Sequence, residues 1–278
     1  MIEKKDLSVS VVTYNNDPAM LKKLFDSLAK IRLKIMVFVI DNSPNDDIKS
    51  LCNKDFIYIF NNKNIGFGKG HNLAIKQASQ FSKYHLIVNP DIYFEDRVIE
   101  QIFAFMENNP DIGLTMPKVL YPDGSLQYLC RLLPNPCDLF LCKFRVPLLS
   151  RYRNSIYELR FADYERIQDI PYLSGCFMFI RSDAFGKAGF FDEKFFMYFE
   201  DIDLCRRIKR YYRTVYYPAV SIYHGYEKGS SKDPRLLKEI FYSGMKYFNK
   251  WGWFIDKERK EINRRVLQDS FTIQRKFS

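Results

Sequence analysis

Along the first hundred residues the spacing of apolar positions alternates between strand and helix periods. Residues 8–13 (SVSVVT) are a β-branched run that stops at Tyr14-Asn15-Asn16-Asp17, as a buried strand ending in a polar loop does. Pro18 suits a first helical turn, and Leu21, Leu24, Phe25 and Leu28 then share one helical face. Residues 35–40 (IMVFVI) are continuously apolar, the pattern of a parallel strand covered on both faces, and break off at Asp41-Asn42-Ser43-Pro44. A short helical stretch around Ile48 and Leu51 and a strand at residues 56–60 complete β-α-β-α-β. The expected class is α/β, an open sheet that binds ligands at the carboxyl ends of its strands.

Residues 61–72 (NNKNIGFGKGHN) lead into a helix carrying Leu73, Ala74, Ile75 and Ala78. Their glycines and Lys69 suit phosphate or ribose contact at a helix start, and a flexible turn explains them nearly as well. The segment is neither a Walker loop nor a dinucleotide fingerprint. A fourth strand at residues 85–88 ends in Asn89-Pro90-Asp91, where Pro90 stops the ladder. Asp91 beyond it is placed to hold a hard cation, or to serve as a turn residue or the cap of the helix carrying Val98, Ile102 and Met106. Residues 112–116 read as a strand and 121–124 as a hairpin turn. From 131 to 169 the periodicity fades, which predicts an insertion over the sheet. Strand pattern returns at 171–181 (PYLSGCFMFIR), where Gly175 permits close backbone approach.

Residues 194–207 (KFFMYFEDIDLCRR) carry the most suggestive chemistry. Phe195, Phe196, Tyr198 and Phe199 run into Glu200, Asp201 and Asp203, followed by Leu204 and Ile208 at helical spacing. Carboxylates favour a helix's first turn, yet at the edge of an aromatic pocket a carboxylate can also serve as a general base. A last strand at 214–223 leads to His224-Gly225-Tyr226, and His224 is open to a structural or a metal-binding role. Helices with a basic end follow from Ser231.

Composition narrows the classes. With 47% hydrophobic and 17% aromatic residues the 278-residue chain is too apolar for disorder. No apolar run reaches the roughly 20 residues that cross a bilayer, and the first residues lack a signal-peptide core. Six cysteines without CxxC pairs predict reduced thiols, no zinc site and a cytoplasmic compartment. The net charge of +10 fits nucleic acid, an anionic membrane or a polyphosphate substrate. No nucleic-acid-binding motif accompanies it.

Taken in order, VVTYNN, VIDNSPND, NKNIGFGKGHN, VNPDIYF, LSGCFMFIR, FFDEKFFMYFEDIDLCRR and His224 resemble the inverting family 2 glycosyltransferases of the GT-A fold, in particular bacterial rhamnosyltransferases. The resemblance spans residues 8–226. It implies a Rossmann-like mixed sheet flanked by helices over residues 1–230, with 231–278 as a basic helical extension. Thr13 and Asn15 would line the nucleotide pocket and Asp41 would reach the pyrimidine. Asn64, Gly66 and Asn72 would shape the loop beside nucleotide and sugar. Asn89-Pro90-Asp91 stands where the family has Asp-x-Asp, so one carboxylate is missing. Asp91, with His224, would bind Mg²⁺ or Mn²⁺. Asp201 would be the general base, with Glu200 its partner in the Glu-Asp pair. The implied donor is dTDP-rhamnose and the acceptor a lipid-linked or growing surface polysaccharide, such as an O-antigen or capsule, at the inner membrane face. Another UDP- or dTDP-sugar, or an inactive nucleotide-sugar-binding scaffold, are the rival readings.

Overall fold

In the computed structural model, residues 4–137, 147–225 and 234–275 are described. Tyr226, Cys142, Lys276 and part of the 131–169 insertion lie outside them. The first half folds as β1 (Lys5–Thr13), α1 (Pro18–Ala29), β2 (Ile35–Asp41), a 3-10 turn (Asp47–Leu51), β3 (Ile57–Phe60), α2 (Phe67–Ala78), β4 (Ser82–Val88), β5 (Ile92–Tyr93), α3 (Val98–Asn108) and β6 (Ile112–Leu120). The second half adds β7 (Cys130–Arg131), α4 (Pro147–Tyr157), β8 (Gln168–Asp169), β9 (Tyr172–Leu173), β10 (Phe177–Arg181), α5 (Ser182–Ala188), α6 (Glu200–Lys209), β11 (Arg213–His224), α7 (Pro234–Trp251) and α8 (Lys257–Arg275).

The sheet is mixed, as expected, with strand order β3-β2-β1-β4-β10-β6-β11-β5 and β8 paired to β11. β1, β2, β3 and β4 run parallel, and β10 inserts antiparallel between β4 and β6. Alternation along β2 assigns its two faces. Phe38 and Ile40 pack with Ala74 and Ala78 of α2, while Val37 and Val39 join the main core with Leu21, Leu24 and Leu28 of α1.

Two expectations need correction. The stretch 171–181 is two strands, because the chain leaves the ladder at residues 174–176 between β9 and β10. The insertion is also more regular than its periodicity suggests, since it contains the 11-residue α4. Pro147 opens that helix, where a missing N–H costs nothing.

A buried polar chain crosses the α2 face of the sheet. Ser82 meets Ser8 at 2.7 Å, Ser8 meets His85 Nδ1 at 2.7 Å, His85 Nε2 meets Ser10 at 2.8 Å, and Ser10 meets His71 Nδ1 at 2.7 Å. Burial holds both imidazoles below their ordinary range, His85 at about 3, so both are neutral connectors.

The C-terminal helices are part of the same core. Tyr247 and Phe248 of α7 and Val266 of α8 are buried with the residues of the sheet. Arg206 of α6 is 1% exposed and grips Asp256, which precedes α8, through two 2.7 Å hydrogen bonds.

Candidate active site

The carboxyl ends of β1 and β2 meet at Thr13 and Asp41, which are register partners. Asp41 is wholly buried and both its oxygens are engaged. Oδ1 accepts from the Thr13 hydroxyl at 3.2 Å and the Ser43 N–H at 2.9 Å, and Oδ2 accepts from the Tyr58 hydroxyl at 2.6 Å. Asn15 is exposed in a left-handed conformation (φ 51°), with its N–H donating to Ser43 Oγ. Thr13, Asn15 and Asp41 thus form one corner, to which Ser43 and Tyr58 also belong.

Packing constrains the glycines of the glycine-rich segment. Gly66 has φ 92°, and a Cβ there would sit 2.4 Å from the Phe196 carbonyl oxygen, which accepts the Phe67 N–H. A Cβ at Gly70 would meet Val12 at 2.8 Å, and one at Gly68 would meet Phe191 at 2.9 Å. Asn64 accepts from the Gly66 N–H and shapes the turn. Asn72 is buried and exchanges hydrogen bonds with the Phe191 backbone and Glu193. It braces α2 against residues 191–193.

Glu200 and Asp201 open α6 directly after Tyr198 and Phe199, both left-handed at φ 68° and 67°. Two consecutive non-glycine residues in that region store on the order of 1–3 kcal/mol each. The aromatic packing of Phe195 and Phe199 in the core holds the strained entry in place. The two carboxylates then meet different surroundings. Asp201 Oδ2 accepts from the Gly175 N–H at 2.9 Å and the Tyr172 hydroxyl at 3.1 Å, and Oδ1 from the Ile202 N–H at 2.8 Å. Glu200 is 4% exposed and its Oε2 has no hydrogen-bond partner. Burial, then the neighbouring Asp201 charge, pushes Glu200 up to about 8. Burial also raises Asp201, opposed by its N–H and O–H donors and by Arg131. The charge of the pair therefore resides on Asp201, the carboxylate with donors and with partial exposure. Asp203 has a different task. It is fully buried between Arg207, Lys250 and Trp251 Nε1, and joins α6 to α7.

Asp91 follows the end of β4 and faces His224 at the end of β11, with Nε2 to Oδ2 at 3.2 Å. The Gly225 N–H donates to the Asp91 carbonyl and holds the two chain segments together. Gln127 Nε2 donates to the His224 carbonyl, which orients the Gln127 amide so that Oε1 accepts from His224 Nδ1 at 2.9 Å. Asp91 Oδ1 is buried without a hydrogen-bond partner. A buried carboxylate oxygen without a partner, beside an imidazole with an oriented second-layer amide behind it, fits a divalent cation. No cluster of three or more ligating side chains is present among the described residues. The remaining ligands would have to come from substrate oxygens and water, as is usual for Mg²⁺.

Residues 174–176 connect the two halves of the site. The Gly175 N–H reaches Asp201, and the Cys176 carbonyl accepts the Asn89 N–H beside Asp91. A Cβ at residue 175 would lie 3.1 Å from Asp201, so the close approach expected of Gly175 is to the carboxylate itself. Sequence reasoning missed Gln127, Arg131, Tyr58 and the role of Tyr172. The first three lie outside the motifs, and their partners are remote in sequence.

Residues 8–189 match the family described as Glycosyl transferase family 2. The chain is similar to an N-acetylglucosaminyl-diphospho-decaprenol L-rhamnosyltransferase of Mycobacterium tuberculosis, 26% identical over 247 residues that cover 82% of this chain and 78% of the relative. It is also similar to rhamnosyltransferase WbbL of Escherichia coli, 25% identical over 221 residues, 73% of this chain and 78% of that one. Among solved structures, S. aureus TarS 1–349 superposes with a TM-score of 0.58 at 18% identity over 98% of this chain and 73% of TarS. GalNAc-T7, crystallised with UDP, GalNAc and Mn²⁺, superposes with a TM-score of 0.60 at 13% identity over 90% of this chain and 50% of its own.

Proposed function

Because this chain belongs to glycosyltransferase family 2, with the GT-A fold and the activity of a glycosyltransferase, we propose that it is an inverting rhamnosyltransferase acting on a lipid-linked acceptor. The observation that carries the chemistry is the asymmetric pair at the start of α6, where Asp201 is hydrogen-bonded at both oxygens and Glu200 Oε2 has no partner. In this reading Asp201 takes the proton of the acceptor hydroxyl as its oxygen bonds to the anomeric carbon of the donor. The bond from that carbon to the diphosphate breaks, the nucleoside diphosphate leaves with the electron pair, and the configuration inverts. Thr13, Asn15 and Asp41 would hold the nucleoside through their shared corner. Asn64, Gly66 and Asn72 would fix the wall beside the sugar, and Asn89 with Asp91 would contact the nucleotide-sugar. A divalent cation, Mg²⁺ or Mn²⁺, held by Asp91 and His224 would neutralise the departing diphosphate. Residues 1–230 would then be the catalytic domain and 231–278 an extension docked on it.

The rhamnose assignment rests on the two bacterial rhamnosyltransferases, and the lipid on the decaprenol-linked acceptor of the mycobacterial one. A thermal-shift panel of UDP-, dTDP- and GDP-sugars, with and without Mn²⁺, tests the donor. The expected result is selective stabilisation by dTDP-rhamnose that grows with metal, with a rise of about 2.7 kcal/mol in stability at a hundredfold excess over Kd. Preference for a UDP-sugar would overturn rhamnose and leave the transferase. Stabilisation that ignores Mn²⁺ would remove the cation from donor binding.

A lipid-linked acceptor requires approach to a membrane, and no helix among the described residues is long and apolar enough to cross one. The turn between α7 and α8 supports a peripheral contact at the inner face. Phe254 and Ile255 are 69% and 84% exposed there, beside a cavity of about 590 Å³ that Ile255 lines with Arg210, Lys250 and Lys257 and with the carboxylates Asp256 and Glu258. Exposed apolar tips with flanking cations suit an anionic lipid surface. Replacing Phe254 and Ile255 by serine should release the protein from phosphatidylglycerol vesicles in a sedimentation assay. Unchanged sedimentation would exclude this turn as the contact.

A further inference from the structure

Arg131 is anomalous among the arginines packed into the fold. Arg206 spends its donors chiefly on carboxylates, Arg207 on Asp203 and the Ala188 and Phe190 carbonyls, and Arg181 on three backbone carbonyls. Arg131 Nε is buried without a hydrogen-bond partner, and Nη1 makes one long contact, 3.5 Å, with the Tyr172 hydroxyl. A buried N–H of a guanidinium left unspent costs stability, so an explanation is owed by function. Its placement supplies one. β7 pairs antiparallel with β9, setting Arg131 opposite Tyr172 with the guanidinium carbon 5.7 Å from the ring centre. The Tyr172 hydroxyl donates in turn to Asp201 Oδ2 at 3.1 Å.

Resting on the reading of Asp201 as general base, we propose that Arg131 is a positioning residue that keeps this carboxylate ionised, acting through Tyr172. The groups facing Asp201 are Glu200 and Cys205 on α6, Tyr172 on β9, Cys176 on the β9–β10 loop and Arg131 on β7. Arg131 is the cation among them. Burial drives Asp201 toward its neutral, inactive form, and a positive charge one hydroxyl away opposes that. Polarised by the guanidinium, the Tyr172 O–H is also a stronger donor to the carboxylate.

The sign of the effect follows. Without the charge, Asp201 protonates at higher pH, so the acid limb of the rate profile moves up while the alkaline plateau stays. The test is the pH dependence of kcat/KM for Arg131→Met and Arg131→Lys, with dTDP-rhamnose as donor and a short-chain polyprenyl-diphospho-N-acetylglucosamine as acceptor. Arg131→Met should lose about tenfold on the acid side and converge with the parent at alkaline pH. Arg131→Lys, which keeps the charge, should restore most of the loss. Tyr172→Phe keeps the ring and removes the link, and should move the limb in the same direction if the methionine variant does not fold. An unmoved limb, or a loss confined to acceptor KM at every pH, would overturn the proposal. Asp201→Asn separates this failure from that of the underlying reading, since substantial turnover in that variant would remove the base itself.

Discussion

Asp201→Asn is expected to lower transfer by about 10²–10⁴ while leaving donor binding and the fold largely intact. Asparagine keeps the shape of aspartate and one acceptor oxygen. If that oxygen faces the Gly175 N–H and the Tyr172 hydroxyl, the new amide group faces the Ile202 N–H, a donor against a donor. This mismatch costs on the order of 1–3 kcal/mol, offset in part because a buried charge has been removed. What cannot be replaced is the proton acceptor. Glu200 is no substitute, because burial and the neighbouring Asp201 charge raise its carboxyl and favour its neutral form, and its Oε2 has no donor to stabilise a charge. The same logic makes Glu200→Gln the informative comparison. Exchanging a neutral acid for a neutral amide should cost far less than the neighbouring change. The measurement is single-turnover transfer in both variants, with donor binding followed by thermal shift. Comparable losses in the two would mean that the roles are shared or reversed, and near-parent turnover in Asp201→Asn would end the base assignment.

The parts of this site that were legible in the sequence are those encoded locally. The apolar run at 35–40 and the break at Asp41 place a carboxylate at a strand end, and Pro90 does the same for Asp91. Aromatics followed by acids at 195–203 locate the start of α6. The strain at Tyr198 and Phe199 has no local signature, because neither is a residue that favours the left-handed region, and only core packing imposes it. Asn72 and Asp203 show the limit from the other side. Both sit inside motifs, yet Asn72 braces a remote loop and Asp203 anchors α7. Arg131 lies in the segment where periodicity fades, and its position depends on a two-residue pairing with β9 across some forty residues. Motifs announce where chemistry is, and tertiary contacts decide which of their side chains take part.

Arg206 sets the largest stability prediction, because it joins α6, which opens with the candidate base, to the C-terminal helices. Its Nη1 and Nη2 each donate to Asp256 at 2.7 Å, Nε and Nη2 donate to Glu258 at 2.9 and 2.7 Å, and its guanidinium carbon lies 4.1 Å from the centre of the Trp251 ring. Arg206 and Asp256 are 1% and 3% exposed, so the pair is removed from solvent screening. Arg206→Met keeps the length and apolar contact of the side chain but strands the Asp256 carboxylate, leaving it the Arg259 N–H at 2.9 Å and the distant Arg259 guanidinium at 3.9 Å. Removing one partner of a buried pair typically costs 3–5 kcal/mol. The expected result is a loss of about that size in urea unfolding, with a fall of roughly 10 °C in Tm for a chain of this size. The double variant Arg206→Met/Asp256→Leu should recover much of the loss, because it no longer contains a stranded charge. A single-variant loss under about 1 kcal/mol would mean that the C-terminal helices are held by their other contacts, among them buried Tyr247, Phe248 and Val266 and the Asp203 contacts with Lys250 and Trp251. Failure of the double variant to recover would assign the cost to the packing of Arg206 on Trp251 rather than to its charge.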